Sequence, residues 1–180
     1  MNPWHDVDPG DGAPGVVQCL IEIPRGGHVK YELDKRTGLL RLDRVLFSAV
    51  HYPANYGLIP RTLWSDGDPL DILVLAQEPF VPMCLVRARV IGVMQMIDDD
   101  EEDDKLIAAH MDDPSVSHLN DLAQLPAHTL HELEHFFSEY KALEHSPVTV
   151  EKFLGVREAL EIVEKGMQMY AERREELMRM

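Results

Sequence analysis

The chain has 180 residues, 45% of them hydrophobic, with 32 Asp+Glu against 17 Lys+Arg and a formal net charge of −15. That length suits one domain over residues 1–180 with a substantial core and leaves little room for two. So acidic a surface repels phosphate backbones and anionic lipid, which argues against nucleic-acid and membrane-surface roles, and it attracts divalent cations.

Residues 1–15 contain Asp6, Asp8, Asp11 and three prolines but neither the basic start nor the apolar stretch of a secretory signal. They read as an extended or flexible segment, and no export is expected. No apolar run approaches the roughly 18 residues of a membrane helix, so a soluble protein is expected. Cys19 and Cys84 fall in stretches that read as buried strands, which favours reduced core thiols and a cytoplasmic setting.

Val16 to Ile23 reads as a strand, and Val29–Leu33 and Leu39–Val45 as a hairpin around the turn Asp34-Lys35-Arg36-Thr37-Gly38. Leu70–Ala76, Leu85–Ile97 and Lys105–Ala109 are further strands rich in Val, Ile and Leu. The period then changes. Leu130, Leu133, Phe136, Phe137 and Tyr140 recur at helical spacing after Pro126, as do Val156, Leu160, Val163, Met167 and Tyr170. The pattern predicts an α+β, mainly β protein: a small barrel or strongly curved sheet with two amphipathic C-terminal helices packed outside.

The sharpest local signal is Asp66-Gly67-Asp68-Pro69-Leu70-Asp71, which runs directly into the strand Ile72-Leu73-Val74-Leu75. Three carboxylates sit at the mouth of a rigid element, where Gly67 and Pro69 limit the backbone. Oxygen clusters of this kind suit hard cations such as Mg²⁺; the plain alternative is a polar turn. An EF-hand is excluded, because its sixth and twelfth positions, counted from Asp66, hold Asp71 and Gln77 instead of Gly and Glu. The run Asp98-Asp99-Asp100-Glu101-Glu102-Asp103-Asp104 would ordinarily be a solvated charge run. Here it joins two apolar strands and ends at Lys105, so its repulsion calls for cations. Glu22, Glu32, Arg44, Tyr52 and Tyr56 are singly unremarkable, but together with Lys30 they supply carboxylates, cations and hydroxyls suited to a polyanion.

His131-Glu132-Leu133-Glu134-His135 matches the HExxH pattern of zinc peptidases. At about 100° per residue, however, the apolar face of the helix lies nearly opposite the two histidines. They should face solvent and bind metal at most adventitiously.

Taken in order from Glu22 to Lys141, the segments I-E-I-P, K-Y-E-L-D, L-D-R, Y-P-A-N-Y-G, D-G-D-P-L-D-I-L-V, D-x-x-x-x-D-x-K and F-F-x-x-Y-K resemble the family I soluble inorganic pyrophosphatases. The resemblance implies a five-stranded OB-like barrel and hydrolysis of pyrophosphate to two phosphates by metal-activated water, with several Mg²⁺ ions per site. It implies Asp66, Asp71, Asp98 and Asp103 as metal ligands, with Glu22 and Glu32 contributing directly or through water. Lys30, Arg44, Tyr56, Lys105, Tyr140 and Lys141 become pyrophosphate contacts, Tyr52 a site-lining residue, and Asp68 the base beside the attacking water, with Tyr56 and Arg44 assisting catalysis. The acidic loop is more crowded than in many relatives, so Asp99, Asp100 or Asp104 could replace Asp98 or Asp103. A homo-oligomer is expected, the hexamer of related bacterial enzymes being favoured. The competing class is a cation-binding module without turnover.

Overall fold

The computed structural model of the chain describes residues 1–146 and 148–179. Among these, the strands are β1 (Val16–Ile23), β2 (Val29–Leu33), β3 (Leu40–Val45), β4 (Asn55–Leu58), β5 (Asp71–Leu75), β6 (Leu85–Asp98), β7 (Glu101–Glu102), β8 (Lys105–His110) and β9 (Val148–Leu154). The helices are α1 (Pro3–Asp6), α2 (Ala127–Glu139) and α3 (Val156–Leu177). In space the order runs β1-β4-β5-β8-β6, and β6 pairs back onto β1, so five strands close a barrel. β5 and β8 are parallel, and the other barrel pairs are antiparallel. β7 and β9 extend along the long strand β6, and β2–β3 is a separate hairpin.

Continuous apolar runs arise because these strands are buried on both faces. Ile72, Val74, Leu106 and Ala108 join a core that Ala159 and Val163 of α3 complete, while their neighbours Leu73 and Ile107 join a second core with Phe136 and Phe137 of α2. α3 buries Ala159, Val163, Gly166 and Tyr170 at helical spacing, and Gly166 is required for close approach, since a Cβ there would lie 2.5 Å from Leu70 Cδ1.

The predicted strands, hairpin and two long helices are all present, and the barrel adds one strand without a sequence signal, β4, whose four residues are too few to show a period and are held between β1 and β5. Two further differences have physical causes. Residues 1–15 are not simply extended: residues 3–6 form a helical turn capped by Asn2, and Trp4 is 1% exposed with its Nε1 donating to the Thr62 carbonyl at 2.8 Å. Burial of one large indole, invisible to a composition argument, anchors the segment. β9 lies between the helices, its alternation at Val148 and Val150 masked by Thr149, Glu151 and Lys152 until β6 supplies an edge for it. Cys84 is half-buried just before β6 and Cys19 is buried within β1; both are free thiols. No helix among the described residues is long and apolar enough to cross a membrane.

Candidate active site

The turn before β5 forms as its sequence dictates. The Asp66 side chain accepts the Asp68 N–H at 2.9 Å, an Asx turn, and Gly67 has φ of 84°, a conformation that favours glycine. Trp64 closes the loop from below, donating to the Asp68 carbonyl at 2.8 Å and accepting from Gly67 at 3.1 Å. Asp71 then opens β5 with its side chain fixed by two neighbours. Tyr56 from β4 donates its hydroxyl at 2.5 Å, Lys105 forms a very short ion pair with it, and Lys105 also reaches Asp103 at 2.5 Å. The parallel register that pairs Asp71 with Lys105 makes this meeting possible across 34 residues.

The acidic run is ordered as a hairpin. Asp98 pairs with Glu101 across Asp99 and Asp100, both at positive φ (49° and 67°), a turn that Asp tolerates better than most residues. Beyond it Glu101, Asp103 and Lys105 face the cavity described below, whereas Glu102 and Asp104 point away from it. Asp98 accepts from Lys141 at 2.5 Å and Tyr140 at 3.1 Å, both at the end of α2. Aromatic spacing on α2 thus delivers a lysine and a hydroxyl to an acidic loop.

From β1 and the β2–β3 hairpin come Glu22, 5% exposed and accepting the Leu33 N–H at 2.6 Å, and the pair Lys30–Glu32 at 2.5 Å. One cavity of about 380 Å³ collects these groups. Its walls include Glu22, Glu32, Asp66, Asp68, Asp71, Asp98 and Asp103 with Lys30, Lys105 and Lys141, and Tyr52, Tyr56 and Tyr140 complete them. Of the residues predicted from sequence only Arg44 lies outside this lining: it pairs with Lys30 in the strand register, and its guanidinium contacts Asp43 at 3.0 Å and Glu144 at 3.1 Å. The Glu144 contact is poorly aligned, so Nε and Nη2 of Arg44 make no hydrogen bond. Among the alternative acids, Asp99 lines the cavity and Asp100 and Asp104 do not. Lys35, Trp4 and Glu101 also line it and were not anticipated. Lys35 sits in an ordinary-looking polar turn, and only its approach to Asp68 reveals it.

Burial, and after it charge repulsion, shifts the protonation equilibria of the site. Burial, helped by Asp71, pushes the Glu22 carboxyl up to about 8, and burial pushes Asp66 up to about 6. Burial raises Asp103 as well, against the pull of Lys105. Burial alone would lower Lys105, but Asp71 and Asp103 outweigh it and hold the ammonium charged. The Tyr56 and Tyr140 hydroxyls are driven upward, chiefly by burial, and stay protonated as donors. Among the described residues no three carboxylate, histidine or cysteine side chains already converge as a ready-made metal site; the two lysines stand between the carboxylates. The donors nonetheless fit hard divalent cations. They are all carboxylate oxygens, Asp98 Oδ1 is buried without a partner, and the raised carboxyls would be relieved by positive charge.

His131 and His135 are both exposed on α2, opposite the buried Leu133, Phe136 and Phe137, as the helical arithmetic predicts.

Residues 19–171 match the family model described as inorganic pyrophosphatase. The chain is 58% identical over 171 residues to the Chlamydomonas reinhardtii protein named soluble inorganic pyrophosphatase 2, covering 95% of this chain and 89% of that one. It is 53% identical over 169 residues to the soluble inorganic pyrophosphatase of Oryza sativa subsp. japonica, covering 94% of this chain and 79% of that one. The crystal structure of the Thermus thermophilus inorganic pyrophosphatase superposes with a TM-score of 0.91 at 40% identity, over 95% of this chain and 99% of that one.

Proposed function

Because the chain belongs to the inorganic pyrophosphatase family, it is a hydrolase that converts pyrophosphate to two phosphates, and we propose that it does so with Mg²⁺ held by Asp66, Asp71, Asp98 and Asp103, assisted by Glu22 and Glu32. The observation that supports this reading is the meeting of these six carboxylates, drawn from distant parts of the chain, with four lysines around one cavity. When bound, Mg²⁺ makes water acidic enough to attack at neutral pH and shields the negative charge of both reactants.

The remaining work falls to the chain itself. Asp68 receives the proton of the attacking water; it is more exposed than Asp71 and is held by Lys35, whereas Asp71 is held by both Tyr56 and Lys105. Lys30, Lys105 and Lys141 pair with phosphate oxygens, and the protonated hydroxyls of Tyr56 and Tyr140 orient them. Arg44, paired with Lys30 in the strand register, adds positive charge behind the cavity wall that favours the leaving phosphate. We extend the proposal to a homo-oligomer, the hexamer being favoured, in a cytoplasmic setting that suits the free thiols Cys19 and Cys84.

A phosphate-release assay tests the proposal. Phosphate should appear from pyrophosphate with Mg²⁺ and stop in EDTA, and Ca²⁺ should support little turnover because it accepts looser coordination. Full activity in EDTA without added metal would defeat the metal-dependent scheme, and calorimetric binding of Mg²⁺ without product would indicate a binding module.

A further inference from the structure

We infer that Lys35, in the β2–β3 turn, is a positioning residue for the reaction: it fixes the Asp66-Gly67-Asp68 turn and thereby the direction of the Asp68 carboxylate. The inference rests on the reading of Asp68 as the proton acceptor. Lys35 comes from a different part of the chain, 33 residues before Asp68, yet its ammonium forms a very short ion pair with that carboxylate. It also donates to the Gly67 carbonyl at 3.3 Å. One cation therefore grips both the side chain of Asp68 and the backbone of the turn, adding to the Trp64 and Asp66 hydrogen bonds that hold the main chain a contact that fixes the carboxylate itself.

Lys35 is itself held from behind. Its backbone carbonyl accepts from the Asn2 side chain at 2.6 Å, and its ammonium lies 5.9 Å from the centroid of the buried Trp4 ring. The turn that carries it is closed by Asp34, which accepts from the Thr37 N–H at 2.8 Å and from its hydroxyl at 2.7 Å. Ordinary lysines on hairpin turns move freely; this one is stapled between the N-terminal helical turn and the carboxylate turn. The other cavity lysines are differently engaged: Lys105 and Lys141 pair with Asp71, Asp103 and Asp98, and Lys30 with Glu32. Lys35 alone among them pairs with Asp68.

A residue that orients a base should affect turnover more than substrate affinity, since misplacing a reacting group by a fraction of an ångström slows the chemical step. The test is steady-state kinetics with pyrophosphate and saturating Mg²⁺ on Lys35→Met, Lys35→Arg, Asp68→Asn and the Lys35→Met/Asp68→Asn double variant, with thermal unfolding of each. Lys35→Met should lower kcat roughly tenfold or more while KM changes less than about twofold. Lys35→Arg should restore most of the loss, and Lys35→Met should cost little further once Asp68 is already Asn. An unchanged kcat for Lys35→Met overturns the inference. So does a raised KM at constant kcat, which would make Lys35 a substrate contact, or a full loss repeated on the Asp68→Asn background. Near-normal turnover of Asp68→Asn would instead remove the reading of Asp68 beneath it. Should Lys35→Met unfold, Lys35→Arg and Lys35→Gln carry the same comparison.

Discussion

Lys105 and Asp71 face each other across the parallel β5–β8 pair, and the Lys105 side chain is only 4% exposed. One ammonium balances two carboxylates there, Asp71 and Asp103. Removing the cation leaves two partly buried anions in close proximity. Lys105→Met should therefore destabilise the metal-free protein by about 3 kcal/mol, the scale for losing one partner of a buried pair. Thermal unfolding in EDTA and in Mg²⁺ checks this: the deficit should shrink when the added cation takes over the balancing role, and an equal deficit in both conditions would contradict the assignment of Asp71 and Asp103 as ligands.

Asp68 is half exposed and is not anchored in the Tyr56–Asp71–Lys105 network. Asp68→Asn should keep the Asx turn, which uses the backbone N–H of residue 68, and should keep the melting temperature close to that of the parent. Turnover should drop by roughly 10²- to 10⁴-fold, the usual contribution of a positioned base. Initial rates of phosphate release at saturating Mg²⁺ decide it.

The N-terminal turn should be acid-labile. His5 is 6% exposed, meets the Tyr170 hydroxyl at 2.8 Å and stacks on Trp4 at 4.7 Å; burial lowers its pKa below the ordinary 6.5. With the folded value below the unfolded one, the stabilising contribution is fully present above about pH 6.5 and is lost as pH falls through the lower folded value. Urea titrations of His5→Phe and parent between pH 8 and pH 5 should show the parent losing more stability over that range. Parallel pH profiles would contradict the prediction.

Gly57 shows how closely β1 and β4 approach. A Cβ at this position would lie 1.9 Å from the Leu20 carbonyl oxygen, a contact that side-chain rotation cannot relieve. Gly57→Ala should cost about 3 kcal/mol or more through forced backbone displacement. Because neighbouring Tyr56 donates to Asp71, activity should fall along with stability. Chemical denaturation and phosphate release measured on one preparation test both effects.

Much of the active site is readable from sequence because its residues are tied to strong local patterns. Asp66, Gly67 and Asp68 form a turn whose geometry follows from their own side chains, and Asp71 and Lys105 begin apolar runs that can only be strands. Tyr140 and Lys141 end an aromatic helix. Lys35 and Trp4 escaped such a reading because one sits in an ordinary polar turn and the other in a Pro/Gly-rich start, and only tertiary contacts bring them to the cavity. Arg44 has the right chemistry in the right motif, yet Asp43 and Glu144 hold it beside the cavity instead of in its wall.

Side-chain periods of 2 and 3.6 mark most of the strands and both long helices, though not α1, β4, β7 or β9, and the residue types show what was available for cation and phosphate chemistry. The sequence by itself could not determine distances between segments. Barrel closure brings β5 beside β8 and the end of α2 to the Asp98 turn, and the buried indole of Trp4 draws the first residues under the β2–β3 hairpin. Those approaches are set by packing shared among many residues, so no single stretch of the chain encodes them.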